Sequence, residues 1–221
     1  MRPHTIAQVM NMKIQPSLLA VQALPQKPVY HMSEISTLVG SRATAYRTVR
    51  ALEEMGFAWH ANRGYLQIRS SLFQPVRLWS SLLPSLASLK RARYFGRSYD
   101  GNDVSYVRSN VGGMETLDYR AYELTHFQTP RTLFTYVRDF EETSQYLRDR
   151  GFSVGTRGWV ALLPAEDSLG NTVQRVYLDC LAFGGRSLLD AIAIELVYGN
   201  DLKIKGEFPL ELVNKVRDDM P

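Results

Sequence analysis

The sequence predicts an α+β protein of two domains, and three observations carry that prediction. Excess positive charge is confined to the first third; the helical pattern of that third ends in an alternating hairpin; the remainder interleaves strand-like aromatic and β-branched runs with helical ones. At 221 residues, 45% hydrophobic and 22% charged, with one Cys, the chain suits one large or two small domains. Collagen-like, disordered and disulfide-framed classes are excluded. Apolar runs are soon broken by charge, as Glu195 breaks Ala191 to Val197, so none approaches the roughly 20 residues a membrane span needs. The first residues lack a signal-type apolar core, and a cytoplasmic location is expected.

Taken in order, Leu18, Leu19, Val21 and Leu24 predict a short helix after Pro16, stopped by Pro25. Met32, Ile35 and Leu38 recur at helical spacing in M-S-E-I-S-T-L-V, with Gly40 as terminator. Ser41 stands where an N-cap belongs. Behind it Ala45, Val49 and Leu52 form one stripe of a helix running to Met55, with Gly56 as the stop. F-A-W-H and Y-L-Q-I-R then alternate around Asn62, Arg63 and Gly64, which predicts a hairpin over Ala58 to Ile68. Helix, helix, helix, hairpin is the order of a winged helix-turn-helix, expected over residues 10–73.

A connecting helix is expected over 74–91, with Pro84 kinking or splitting it. Its apolar residues Trp79, Leu82, Leu83, Leu86 and Leu89 suit either a homodimer seam or packing of the first domain onto the second. A mixed α/β domain is expected over 92–221. There A-R-Y-F-G-R-S, V-S-Y-V-R-S, L-D-Y-R-A-Y-E-L, R-T-L-F-T-Y-V, W-V-A-L-L-P and V-Q-R-V-Y-L-D-C-L read as strands, the last two flanking a turn at E-D-S-L-G-N. D-F-E-E-T-S-Q-Y-L-R-D-R-G reads as a helix capped by Asp139, with acids in its first turn and Arg148 and Arg150 in its last. S-L-L-D-A-I-A-I-E-L-V-Y and P-L-E-L-V-N-K-V-R-D-D-M read as two further helices.

Charge supplies the functional direction. Residues 1–77 hold nine Lys/Arg against three acids, a balance of +6, whereas the rest holds 17 basic and 19 acidic residues, a balance of −2. That asymmetry suits a nucleic-acid-binding module joined to an ordinary globular domain. In a helix-turn-helix the N-terminal half of the second motif helix enters the major groove, so Arg42, Thr44, Tyr46 and Arg47 are expected to meet base edges and nearby phosphates of double-stranded DNA. Arginine suits both tasks, its planar fork matching guanine N7 and O6 or a phosphate. The Ser41 and Thr44 hydroxyls are expected on phosphate, Arg50 on backbone only, and Arg63 at the wing tip with His60 beside it in an adjacent minor groove. The bland alternative is a solvated basic face on a winged helix used for packing.

Two resemblances accompany these residues. S-E-I-S-T-L-V-G-S-R-A-T-A-Y-R-T-V-R-A-L-E-E-M-G-F resembles the winged helix of IclR-type and related repressors, although the chain has no clear IclR-type effector domain, which argues against carrying over small-molecule sensing. R-T-L-F-T-Y-V-R-D-F, W-V-A-L-L-P and V-Y-L-D-C-L-A-F-G-G-R-S-L-L-D-A resemble the C-terminal domain of AbiEi-type transcriptional regulators, the antitoxins of type IV toxin-antitoxin systems. That resemblance implies a repressor or autoregulating antitoxin with a nucleotidyltransferase-like toxin as companion. The alternative it leaves is an antitoxin that contacts such a toxin directly, its winged helix serving as scaffold.

No catalytic, metal or cofactor site is expected. Cys180 is a lone thiol in an apolar run, and His4, His31, His60 and His126 are scattered without metal-ligand spacing. Gly184, Gly185, Arg186 and Ser187 can present amides to an anion but match neither the Walker A nor the dinucleotide pattern, and read as a tight strand-to-helix turn. Asp190 and Glu195, five apart, fall on nearly opposite sides of a helix. Asp179 is expected to pair with Arg186 across the turn. Trp59, Trp79 and Trp159 are assigned to cores or an interface.

Overall fold

In a computed structural model, residues 21–25, 27, 29–54, 56–69, 73–97, 102–165 and 172–221 are described. The chain divides into two compact units, Met1–Ser81 and Leu82–Pro221, and is an α+β protein.

The first unit begins, within the described residues, with a 3-10 turn at Val21–Ala23. The remainder of the helix expected after Pro16 lies outside them. Strand β1 (Tyr30–His31) leads directly into helix α1 (Met32–Val39). A reciprocal cap starts α1: the His31 ring accepts the Ser33 amide, and Glu34 reaches back to the His31 amide at 2.8 Å. Gly40, at φ +73°, ends it in the left-handed conformation that a Cβ disfavours. Helix α2 (Arg42–Glu54) follows after Ser41 alone, so α1 and α2 meet through a very short turn. Strands β2 (Ala58–Asn62) and β3 (Tyr65–Ile68) complete a three-stranded antiparallel sheet in the order β1-β3-β2.

Alternation decides which face of this sheet is covered. Tyr30, Ala58, Leu66 and Ile68 are buried with Ile35 from α1 and Ala45, Val49 and Leu52 from α2. Each large aliphatic side chain so buried contributes about 1.5–3 kcal/mol. Thr48 also lies on the buried stripe of α2, where its hydroxyl donates to the Thr44 carbonyl at 2.9 Å and avoids an orphaned polar group.

Helix α3 (Phe73–Lys90) runs through Pro84 as one element, so the expected split does not occur, and the division between the units falls within it. Leu78 and Leu82 are buried, while Leu83 is exposed.

In the second unit the elements are β4 (Arg93–Gly96), α4 (Asn102–Asn110), β5 (Met114–Thr116), α5 (Leu117–Thr125), β6 (Leu133–Val137), α6 (Phe140–Asp149), β7 (Ser153–Gly155), β8 (Val160–Pro164), α7 (Val173–Phe183), α8 (Ser187–Tyr198) and α9 (Leu210–Asp219). The five strands order as β5-β6-β8-β4-β7, with β6 and β8 parallel and the remaining pairs antiparallel. Every residue of β6 and β8 is buried, as expected of parallel strands covered on both faces. Val104 and Val107 of α4 and Phe140 and Leu147 of α6 pack with Leu133, Val137, Val160 and Leu162 on one face. On the other, Tyr136 and Phe134 reach Asp179 and Phe183 of α7. Ile192 and Ala193 of α8 pack with Val216 of α9.

Three segments expected as strands are helices. V-S-Y-V-R-S belongs to α4, L-D-Y-R-A-Y-E-L to α5 and V-Q-R-V-Y-L-D-C-L to α7. In α5 the buried residues Leu117, Ala121 and Thr125 lie four apart, a helical stripe masked by Tyr119 and Tyr122. Residues 175–182 of α7 are buried all round, and a fully buried helix carries no periodicity that separates it from a buried strand. The turn expected between β8 and α7 lies outside the described residues.

Candidate nucleic-acid interface

Helix α2 and its cap Ser41 carry six of the eight residues expected to contact DNA. Its buried stripe (Ala45, Thr48, Val49, Leu52) turns the other side outward, and Arg42, Tyr46, Arg47 and Arg50 are all exposed there. Ser41 caps the helix, its hydroxyl accepting the Thr44 amide at 3.4 Å. The Arg42 guanidinium stands over the Tyr46 ring, 5.8 Å from the centroid, and Tyr46 is 50% exposed. Among the described residues Arg47 makes only long contacts within its own helix: Nε donates to the Ala43 carbonyl and a terminal nitrogen to Thr44 Oγ1, each at 3.4 Å. No carboxylate among the described residues pairs with Arg42 or Arg47. Arg50 differs, its Nε donating to Glu54 Oε1 at 3.1 Å in an exposed i,i+4 pair of the kind that stabilises by only about 0.3–0.5 kcal/mol.

The hairpin brings Arg63 to the β2–β3 turn, where its amide donates to Asn62 Oδ1 at 2.7 Å and Gly64 takes φ +80°. The Arg63 side chain is exposed. His60 sits farther back, Nε2 being 3.5 Å from Glu53 Oε1 near the C-terminal end of α2. His60 is thus turned toward α2.

Further groups were missed. Trp59 and Tyr65 are 42% and 47% exposed on the outer face of the sheet, and the Arg69 guanidinium lies over the Trp59 ring at 5.5 Å. Trp59, expected in a core or interface, is outside the core of this unit. The alternation of the two strand sequences holds the signal: Ala58, Leu66 and Ile68 point inward, so Trp59, Tyr65 and Gln67 point outward.

In the second unit the sites weighed from sequence resolve differently. Asp179 does not pair with Arg186. It faces Arg175, one turn earlier on α7, with Oδ1 3.0 Å from Nε, and accepts from Thr116 at 2.7 Å and Tyr136 at 3.0 Å. Burial pushes its carboxyl up, against the opposing pull of Arg175. The Gly184–Gly185 turn joins two helices, both glycines at positive φ, so it is not a strand-to-helix turn. Cys180 is fully buried and burial raises its thiol well above the ordinary range, which disfavours the thiolate that nucleophilic work needs. Among the described residues no helix is long and apolar enough to cross a membrane, and no cluster of three His, Cys, Asp or Glu is placed to hold a metal.

No protein-family model, curated protein or solved structure matches this chain.

Proposed function

We propose that the protein is a sequence-specific DNA-binding transcriptional regulator, a repressor or autoregulating antitoxin acting in the cytoplasm, whose first unit is a winged helix-turn-helix. In this reading α2 lies in the major groove of duplex DNA and the β2–β3 hairpin alongside it, so that a bound promoter is occluded.

One observation carries the reading: α2 buries a narrow stripe and leaves Arg42, Tyr46 and Arg47 on its open side with no carboxylate partner among the described residues. Cations so disposed are free to exchange weak internal contacts for phosphate or guanine. The short α1–α2 turn and the β1-β3-β2 sheet are consistent with it, as is the +6 balance of residues 1–77.

The test is selection of duplexes from random sequence by the full chain, followed by anisotropy titration of the selected duplex and a scrambled one. Arg47→Ala is expected to weaken the selected duplex by about 1–3 kcal/mol if it reads a base, or both duplexes alike if it holds phosphate. Replacing Arg42, Arg47 and Arg50 together abolishes selection; unchanged binding by that triple variant removes the proposal.

A further inference from the structure

We propose that the second unit binds a nucleoside monophosphate in a pocket between the start of β6, the approach to β8 and the α7–α8 turn. The pocket has a volume of about 320 Å³, at the small end of the range for small-ligand sites. Three loops that are far apart in sequence deliver arginines to it: Arg131 before β6, Arg157 before β8 and Arg186 before α8.

These cations are not used up by the fold. Arg186 is held in place by neutral groups, its Nε donating to Gln128 Oε1 at 2.7 Å and a terminal nitrogen to the Thr129 carbonyl at 2.8 Å. Arg131 and Arg157 are exposed, and neither guanidinium has a hydrogen bond or ion pair to a described residue. One carboxylate shares the pocket. Asp118, through Oδ2, accepts the amides of Arg131 and Thr132 at 3.2 and 3.3 Å. Three guanidinium groups and one carboxylate line the pocket, a balance of +2 that the neighbouring Asp190 carboxyl reduces where it is ionised, and the net positive charge suits the dianion of a phosphate monoester. Helix amides contribute little, because those of Ser187, Leu188 and Leu189 already donate to the carbonyls of Gly184, Gly185 and Arg186.

The other half of the ligand is read from the pocket wall. Phe183 lines it and is 43% exposed, an unusual degree for phenylalanine. Behind it Phe134 packs edge-on at 5.2 Å, and Tyr94 packs edge-on against Phe134 at 6.1 Å. A ring so buttressed presents a firm face for stacking a planar base, while the guanidinium forks meet the phosphate. Ser187, only 2% exposed, adds a hydroxyl-bearing side chain to the lining. The inference stands apart from the DNA-binding reading, since every residue in it belongs to the second unit.

Calorimetric titration of the full chain with AMP, adenosine and inorganic phosphate in separate experiments tests it. AMP is expected to bind at least about tenfold more tightly than either fragment, because only AMP engages both the cations and the ring. The Arg131→Ala/Arg157→Ala double variant is expected to lose at least tenfold in AMP affinity, and Phe183→Ala about fivefold or more. Both arginines are exposed and have no side-chain partner among the described residues, so the double variant should melt with the parent, which separates lost binding from lost folding. Phosphate binding as tightly as AMP, no saturable heat up to millimolar AMP, or full affinity in the double variant would each overturn the proposal. So would a single-stranded oligonucleotide that displaces AMP and binds more tightly through the same arginines, because the pocket would then be part of a nucleic-acid groove.

Discussion

The Arg42 guanidinium lies over the Tyr46 ring one helical turn away, and the two form a single exposed unit on the open side of α2. The ring limits where the guanidinium can go, so less side-chain freedom is lost when it meets a phosphate or a base. Tyr46→Ala is expected to weaken duplex binding by about 0.5–1 kcal/mol, the usual worth of an exposed cation–π contact, while Tyr46→Phe keeps most of the affinity. Anisotropy titrations of the two variants at one salt concentration check this, and equal losses for both would implicate the hydroxyl instead.

The Arg175–Asp179 pair holds α7 to the sheet through Thr116 of β5 and Tyr136 of β6. Asp179→Ala leaves a buried guanidinium uncompensated and is expected to cost about 3–5 kcal/mol. Urea denaturation monitored by circular dichroism measures the loss. A cost below 1 kcal/mol would mean that water reaches the pair.

Asp190 confers a pH dependence whose sign follows from its surroundings. Burial raises its carboxyl to about 7, with the Gln128 hydrogen bond at 2.8 Å opposing, Asp118 adding to the rise and Arg186 lowering it. The native state therefore holds this proton more tightly than the unfolded chain, whose carboxyl titrates near 4. Its contribution is full below about pH 4 and is lost as pH rises through 7. Asp190→Asn is expected to flatten that decline and to stabilise the protein at pH 8 on the order of 2 kcal/mol, measured by thermal melts across the range.

Adjacent glycines separate backbone strain from steric collision. A Cβ on Gly113 would stand 2.5 Å from Thr135 Oγ1 and 2.6 Å from the Tyr136 carbonyl oxygen, at φ +127°, whereas one on Gly112, at φ +68°, would meet nothing within 4 Å. Gly112→Ala is expected to cost about 1 kcal/mol, as left-handed backbone does, and Gly113→Ala at least about 2 kcal/mol more, because β6 must shift. Melting the two variants side by side checks the ranking.

Much of the first unit was legible because its elements declare themselves locally. The stripe Ala45, Val49, Leu52, the terminator Gly40 and the alternation around Asn62 to Gly64 each follow from neighbours in sequence. Among the described residues the two-residue strand β1 escaped, being too short to show a period. The second unit was less legible: α4, α5 and α7 read as strands because tyrosines and β-branched residues lie within them, and burial on all sides of α7 erases the period that marks a helix.

The amino-acid order by itself determined the charge asymmetry, the open basic side of α2 and the positions of its caps, since these depend on residues within a few turns of one another. Tertiary structure alone decided that Asp179 meets Thr116 and Tyr136 while Arg186 turns to Gln128, and that Arg131, Arg157 and Phe183 share one pocket. Those pairings join residues brought together by the register of a parallel sheet and the packing of helices upon it, long-range contacts on which local propensity has no bearing.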